Sequence, residues 1–301
     1  MNNRRKNMKQ LVITLCLLVI ALTFSQCVNQ DCNTEIKNPY LGQKTPENTP
    51  EVFVPEVVSS SENFEIGCTF STDGKEFYFG RTLDKKAVTY VIKNINGVWT
   101  SPEALKISDA QYFTEPHINY EGDQLFFTEF TPSSDPNIRV RGKISTSHKI
   151  EGEWSKSKVL WVGMFVTTSK NGSIYYTYNK ERAIYKRTFN KVYSEGEKVM
   201  IENCTFQTSH PYIAPDESYL IYGGFNPQGQ SKGQWADLYV SFKKSDHTFG
   251  EPINLGDKIN NQYPNICPMV SPDGKYLFYS NKGDIYWVSA KIIEELKPNK
   301  L

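Results

Sequence analysis

The stretch Ser271-Pro272-Asp273-Gly274-Lys275-Tyr276-Leu277-Phe278-Tyr279 joins a tight turn directly to an apolar strand. Pro fixes its own φ, Asp hydrogen-bonds the backbone two residues further on, and Gly accepts a positive φ, so the first four residues favour a chain reversal. The aromatic and aliphatic run that follows is typical of a buried β-strand. This unit decides the fold because the chain repeats it.

Four further stretches contain the same turn and strand. Their turns begin at Ser71, Asn119, Ser169 and Ala214, and their strands contain Phe77-Tyr78-Phe79, Leu125-Phe126-Phe127, Ile174-Tyr175-Tyr176 and Leu220-Ile221-Tyr222. The five starting positions are 48, 50, 45 and 57 residues apart. A period of about 40 to 50 residues made of strands and turns is typical of a propeller blade. The sequence therefore predicts an all-β propeller of five four-stranded blades, with the third strand of the second blade at 138–144.

The ends of the units predict how the ring closes. Each of the first four units ends with an aromatic residue, a short break and an aliphatic residue, as in Trp99–Leu105, Trp154–Leu160, Tyr193–Val199 and Phe249–Leu255. The fifth unit lacks this ending, whereas residues 52–58 precede the first unit without a partner. An open ring would expose unpaired backbone groups, so we expect strand 52–58 to join the last blade. Six blades is the alternative if 225–234 contains a degenerate unit, but its Gly- and Gln-rich sequence favours a loop.

The first 50 residues precede the propeller. Basic residues at positions 4, 5, 6 and 9 are followed by an uncharged run over 11–24, which predicts a secretory signal peptide over 1–26. The stretch Phe24-Ser25-Gln26-Cys27 resembles the lipobox of bacterial lipoproteins, which implies lipidation of Cys27; simple cleavage after Ser25 is the alternative. Residues 27–50 are polar and aperiodic, which predicts a flexible linker before the propeller domain at 51–301. We expect an exported protein of the periplasm or outer membrane.

Composition excludes several classes of protein. There are 34 basic and 33 acidic residues, giving a net charge of +1, so no overall field attracts nucleic acid. The 6 cysteines are too few for a disulfide scaffold and lack zinc-ligand spacing. We expect Cys68 and Cys267 to enter the first strands of neighbouring blades, where free thiols are favoured over a bridge. The sequence has no Gly-x-Ser-x-Gly, His-Glu-x-x-His or phosphate-binding glycine motif.

Polar residues at equivalent places in the repeats predict a site. In a propeller, the segments that enter the first strands and leave the second strands meet at one mouth of the central channel. The entering segments contain Glu65, Glu115, His117, His210 and Asn265, and the leaving segments contain Arg81, Glu129, Asn179 and Asn281. Such a set suits a carboxylate, a sugar or a metal ion. From it we predict ligand-binding roles for Arg81, Glu115, His117, Glu129, His210, Asn265 and Asn281.

Two alternatives to that site stay open. The same residues could instead be solvent-exposed side chains at the channel mouth, or side chains that hydrogen-bond the backbone of the loops. No cofactor is predicted, although a metal ion bound at the channel mouth is compatible with the His and carboxylate residues.

The repeat resembles a known group. The unit at 271–279, the aromatic-x-x-Pro closing segments and the ending Asp284-Ile285-Tyr286-Trp287 resemble the TolB-like, WD-repeat-like β-propellers of bacterial envelopes, over about residues 51–296. That resemblance implies partner-binding modules of the periplasm, and also relatives that act on pectin fragments or cap peptidases.

The resemblance and the residues together favour one function and leave a second. We expect a non-catalytic, monomeric envelope propeller that binds a protein, peptide or glycan through the channel-mouth face and touches the membrane only through a lipid anchor. The alternative is a carbohydrate-active enzyme, a lyase or glycoside hydrolase, that uses the mouth carboxylates and histidines. The enzyme hypothesis requires Glu115, His117 and His210 to converge.

Overall fold

The computed structural model describes residues 38–83, 86–130, 142–226, 228–229 and 236–299. The predicted signal peptide and Cys27 lie outside these residues. A 3-10 turn at Tyr40–Gly42 precedes the strands, and a short helix α1 (Lys291–Glu295) follows them.

The described strands group into five antiparallel sets of four, here called blades 1 to 5, and one parallel pairing of Ala87 with Tyr112 joins blades 1 and 2 into a continuous sheet. Blade 1 contains β2 (Phe64–Phe70), β3 (Glu76–Leu83), β4 (Lys86–Ile95) and β6 (Glu103–Ala104), with the short β5 (Val98–Trp99) paired to β4. Blade 2 contains β7 (Tyr112–Ile118), β8 (Gln124–Phe130), β9 (Lys143–Ile150) and β11 (Lys158–Val162), with β10 (Glu153–Trp154) paired to β9. Blade 3 contains β12 (Met164–Thr168), β13 (Ile174–Tyr178), β14 (Ala183–Arg187) and β17 (Glu197–Lys198), and the hairpin of β15 (Phe189–Asn190) and β16 (Val192–Tyr193) lies between its last two strands. Blade 4 contains β18 (Gln207–Ile213), β19 (Tyr219–Phe225), β20 (Asp237–Phe242) and β21 (Ile253–Asn254). Blade 5 contains β22 (Asn265–Val270), β23 (Tyr276–Asn281), β24 (Asp284–Ser289) and the N-terminal β1 (Glu51–Val52).

The first strands of the five blades close into a ring. Strand β2 contacts β7, β7 contacts β12, β12 contacts β18, β18 contacts β22, and β22 contacts β2 again. The prediction of a five-bladed propeller is therefore confirmed, and the described residues contain no sixth four-stranded sheet. The face at which the first strands begin and the second strands end is called the mouth face below. The opposite face, which contains the Pro-Asp-Gly turns, is called the turn face.

The N-terminal strand closes the ring as predicted. Strand β1 runs antiparallel to β24, with Glu51 opposite Trp287 and Val52 opposite Tyr286. The next backbone amide, of Phe53, donates to the Ile285 carbonyl at 2.7 Å. The regular pairing is shorter than the predicted 52–58 because Val54 and Glu56 adopt left-handed φ values of 41° and 67°.

The aromatic strands pack between blades. The Phe53 ring is fully buried and lies 5.1 Å from Phe77, 5.0 Å from Phe278 and 5.0 Å from Trp287, measured between ring centroids. These rings come from the N-terminal segment, blade 1 and blade 5. Edge-on packing of large rings therefore fastens the two ends of the chain together.

Two segments differ from the sequence-based prediction. The described part of the predicted linker lies against the propeller, because the Tyr40 ring packs on Tyr276 and Trp287 at 4.9 and 5.5 Å. The Gln43 side chain also donates to the Val52 carbonyl at 3.0 Å. In blade 2 the third strand is β9, which begins at Lys143, whereas the predicted residues 138–141 lie outside the described part. Among the described residues, no helix combines the length and apolar character needed to span a membrane.

Candidate binding site at the ring centre and mouth face

All five first strands contain a β-bulge at the same level of the ring. The register against the second strand shifts between Ile66 and Cys68, Thr114 and His117, Met164 and Thr167, Ser209 and Tyr212, and Ile266 and Met269. Within each shift one residue has a left-handed φ: Gly67 (65°), Glu115 (60°), Phe165 (57°), His210 (50°) and Cys267 (52°). Four of these five residues carry a side chain, so the ring stores backbone strain at its axis, as functional sites often do.

The bulged residues surround a small central cavity. Its volume is about 40 Å³, and residues of all five first strands line it. The polar or reactive groups among them are Glu115, His210, Cys68 and Cys267. This space is large enough for a few water molecules but not for an organic ligand.

Glu115 is the one carboxyl group among the residues that line the cavity. Its side chain is buried, and Oε2 has no hydrogen-bond partner in the described part of the chain. Burial raises the pKa of Glu115 to about 8, against a smaller opposing effect of a hydrogen bond with Thr128. The group is therefore a neutral acid at pH 7, able to donate a proton in a hydrogen bond.

His210 lies in the same cavity. The Ser209 hydroxyl is 2.7 Å from its Nδ1, and its ring stacks on Phe165 with a centroid distance of 3.5 Å. Burial lowers the pKa of His210 to about 3, so the imidazole is neutral at pH 7. The structure thus brings two of the predicted site residues, Glu115 and His210, to one place.

His117 lies elsewhere. It is two residues beyond the bulge of β7, and the Thr168 amide donates to its Nε2 at 2.9 Å. Burial lowers the pKa of His117 to about 3, so this half-buried ring is a neutral link between blades 2 and 3. It faces a separate pocket of about 160 Å³ that is lined by residues next to the turns. The convergence of three groups that the enzyme hypothesis requires does not include His117, because the strand carries it past the bulge toward the turn face.

The remaining predicted residues form pairs inside the mouth. Arg81 Nε donates to Glu65 Oε1 at 2.7 Å, and Arg81 also donates to the Val57 and Val58 carbonyls. Burial raises the pKa of Glu65, whereas its hydrogen bonds with Arg81 and Ser60 act in the opposite direction. Arg81 therefore serves as a clamp on the segment that follows β1.

Glu129 and the two asparagines are likewise paired. The Ser108 hydroxyl donates to Glu129 Oε1 at 2.6 Å. Asn281 Nδ2 donates to Asn265 Oδ1 at 2.6 Å, within blade 5. These side chains are hydrogen-bonded, and none of them lines the cavity that contains Glu115 and His210, so the predicted set does not form one pocket.

Hydroxyl groups of neighbouring blades hold three of the bulges. The amides of Gly67, Phe165 and His210 donate to Ser280 Oγ, Thr128 Oγ1 and Thr177 Oγ1 at 2.9, 3.1 and 3.0 Å. These contacts were not predicted from the sequence. Their signal is a Ser or Thr directly after the aromatic run in blades 2, 3 and 5, which becomes visible only when the repeats are aligned to the bulges.

Blades 1 and 4 have glycine at the equivalent position. A Cβ on Gly80 would meet the Thr114 hydroxyl and would lie 2.6 Å from the Ile66 carbonyl. Close approach of two first strands therefore requires Gly80. The Thr114 hydroxyl, next to Glu115, is buried and has no hydrogen-bond partner among the described residues.

The cysteines and potential metal ligands add no second centre. Cys68 and Cys267 are free thiols in this structure, and burial raises the pKa of both, which keeps them protonated. Within the described ranges, no three His, Cys, Asp or Glu side chains converge in a way that could hold a metal ion.

A second pocket opens on the mouth face between blades 3 and 4. Its volume is about 290 Å³, and it shares Phe165 and His210 with the central cavity. Asn179 lines it, at the end of the second strand as predicted. Arg182 and Phe225 also line it. Neither was predicted from the sequence, although blade 2 has Phe130 at the position equivalent to Phe225.

No family model matches the sequence, and no curated protein matches it. Solved structures do match. TolB from Acinetobacter baumannii superposes with a TM-score of 0.50 and 13% identity, covering 77% of this chain and 53% of that chain. An arabinanase from Bacillus subtilis gives a TM-score of 0.50 with 14% identity over 76% of this chain and 94% of its own. A gluconolactonase from Xanthomonas campestris gives 0.48 with 7% identity, over 82% and 97%.

This chain spans about half the length of the TolB structure that it matches. At such identities the likeness shows the fold alone. The predicted TolB-like β-propeller fold is confirmed.

Proposed function

We propose that this protein is a non-catalytic β-propeller that binds a peptide, protein or glycan partner through its mouth face. The observation that carries the proposal is the state of the polar groups there. In the mouth Arg81 pairs with Glu65, Glu129 with Ser108 and Asn281 with Asn265, and the cavity at the ring centre has a single, neutral carboxyl group among its lining residues. Such an arrangement suits recognition by shape and hydrogen bonding.

A glycoside hydrolase is the second candidate, and Glu115 is the reason. A carboxyl group with a pKa of about 8 has the protonation state of a general acid at pH 7. Hydrolysis by two carboxyl groups needs a second one about 5 to 9.5 Å away across the bond. None of the other residues that line the cavity is acidic, and His117 lies in a different pocket, so binding is the better supported function.

The location of the protein belongs to the same proposal. The basic and apolar sequence at 1–26 supports export, and Cys27 supports a lipid anchor in the periplasm or outer membrane. The mass of the mature protein tests this part. A diacylglycerol-modified N-terminal cysteine is the expected result, and an unmodified N-terminus would contradict it.

Oriented immobilisation tests the binding proposal. A single biotin-bearing residue is placed either at Asn96, which is exposed on the turn face, or at Lys282, which is exposed on the mouth face. Envelope extract is passed over both surfaces. Retention of a partner by the Asn96-linked protein and not by the Lys282-linked protein is expected, because only the first leaves the mouth free. Equal retention would contradict the proposal.

A glycan panel tests the enzyme alternative. The protein is incubated with polysaccharides and oligosaccharides with and without a chelator, beside the variant Glu115→Gln. Product formed by the wild type and abolished in the variant would establish the enzyme instead. We expect no product from either protein.

A further inference from the structure

The pocket between blades 3 and 4, here called the Arg182 pocket, is larger than the central cavity and has a definite chemical character. Its lining includes the thioether and rings of Met164, Phe165 and Phe225 together with the Asn179 and Arg182 side chains. A volume of about 290 Å³ lies at the lower end for small-ligand pockets, which suits one amino-acid residue better than a long segment.

Arg182 gives the pocket its charge. It is the one charged residue among the eight that line the pocket, since His210 is neutral and the others are apolar, hydroxyl or amide residues. The adjacent Glu181 carboxylate is drawn to Lys198, whose Nζ lies at 3.7 Å. An anionic ligand therefore meets a guanidinium with no acidic group in the pocket wall to compete for it.

Two contacts orient the guanidinium of Arg182, which is an exposed residue. Its Nη1 donates to Gln207 Oε1 at 3.1 Å, and its Cζ lies 5.9 Å from the Phe225 ring centroid. The Arg182 carbonyl accepts from the Thr208 amide at 3.0 Å, which joins this turn of blade 3 to the first strand of blade 4. These contacts leave further guanidinium N–H groups to donate to a carboxylate.

Asn179 supplies an unpaired acceptor. Its Oδ1 is buried and has no hydrogen-bond partner in the part of the chain that the structure describes. A buried acceptor without a donor is unfavourable, so a ligand N–H at this point would restore a lost hydrogen bond. The same turn of the chain thus presents a guanidinium that can donate to a carboxylate and, three positions away, an acceptor for an amide N–H.

We infer that the Arg182 pocket binds the C-terminal residue of a peptide or protein, with the α-carboxylate on Arg182, the residue's amide N–H on Asn179 and an apolar side chain against Met164, Phe165 and Phe225. This inference rests on the proposed use of the mouth face and names the partner's chemistry. Capture of a terminal carboxylate is an established way to read a peptide end. The apolar wall disfavours a sugar acid, whose hydroxyl groups would find few partners.

Calorimetric titration of the whole chain at pH 7 tests the inference. The probes are N-acetyl-glycyl-leucine with a free carboxylate and the same dipeptide as its C-terminal amide. We expect saturable binding of the acid and binding of the amide that is weaker by about tenfold or more, because a charge-assisted hydrogen bond is lost. The variant Arg182→Gln is expected to weaken binding of the acid by a similar factor.

Lys180→Gln is the matched control. It removes the same charge from the same exposed turn, but Lys180 does not line the pocket. We expect its affinity for the acid to equal that of the wild type. Equal affinity for acid and amide, an equal loss in both variants, or no saturable binding up to about 10 mM would overturn the inference. Arg182-dependent binding of galacturonate in place of the dipeptide would also overturn it.

The two proposals fail in different ways. If the dipeptide does not bind but the Asn96-linked protein retains a partner and the Lys282-linked protein does not, only the identity of the ligand is wrong. If neither surface retains a partner and the dipeptide does not bind, the mouth face is not a binding face.

Discussion

Replacing Glu115 by Gln should make the protein more stable at neutral pH, even though the side chain is buried at the centre of the ring. The pKa of this carboxyl is about 8 in the folded protein and has an ordinary value of 4.5. Between these values the folded state binds a proton that the unfolded state has lost. The contribution of this carboxyl group to the folding stability is therefore fully present below pH 4.5 and is lost as the pH rises from 4.5 through 8.

The size of the effect follows from that difference. At pH 7 the folded protein bears a penalty of about 3 kcal/mol, from 1.36 kcal/mol for each pH unit above 4.5. Gln has the same shape and no charge, so it removes the penalty while keeping a polar group in the cavity. The gain in unfolding free energy of Glu115→Gln over the wild type should be near zero at pH 4 and should increase up to pH 8.

Urea denaturation at pH 4, 5.5, 7 and 8 measures the difference between Glu115→Gln and the wild type. The variant Glu103→Gln is the control, because it removes a carboxylate from an exposed position of an outer strand. We expect its stability relative to the wild type to change little with pH. A loss of stability in Glu115→Gln at pH 7, or a difference that is independent of pH, would refute the reasoning.

Three further substitutions test how the blades are held together. Although burial opposes its ionisation, the ammonium groups of Lys243 and Lys186 lower the pKa of Glu217 to about 2. Glu217→Gln should therefore lower the free energy of unfolding by about 3 kcal/mol in urea denaturation at pH 7. This loss should disappear as the pH falls from 4.5 toward 2, because the wild-type carboxylate is then protonated. A loss that is independent of pH would contradict this. Gly80→Ala should cost about 1 to 3 kcal/mol in the same assay because its Cβ overlaps the neighbouring first strand, and a neutral result would show that the strands separate easily. Phe53→Ala should lower the free energy of unfolding by about 4 kcal/mol and should increase proteolysis near the N-terminal strand. A loss of less than 1 kcal/mol, which is about the effect of a surface substitution, would show that closure of the propeller does not depend on the Phe53 side chain.

The repeat allowed the fold to be predicted almost completely. The turn at Pro272 and the strand after it recur with local chemistry that is readable in one sequence, and the missing outer strand of the last blade left β1 as its partner. The linker was harder to predict. Residues 38–50 are held by scattered contacts, such as the Tyr40 ring on the core and the Gln43 hydrogen bond to Val52, and isolated side chains have no periodicity to detect.

The candidate site was predicted less well, for a geometric reason. The sequence identified polar residues near the first strands, but a bulge changes the direction of every side chain that follows it. Glu115 and His210 stand in bulges and meet at the axis, whereas His117 stands two residues later and faces another pocket. Arg182 lies in the connection between the second and third strands, which differs in length and sequence from blade to blade, so an alignment of the blades does not reveal it.

The face that meets the partner is the centre of this account, and photo-crosslinking in cells measures it most directly. A benzophenone-bearing residue is placed at Lys180, exposed on the mouth face, or at Asp246, exposed on the turn face of blade 4. Irradiation should give a discrete higher-mass adduct from position 180 and none from position 246. An adduct from position 246 with none from position 180 would contradict the assignment of the mouth as the binding face.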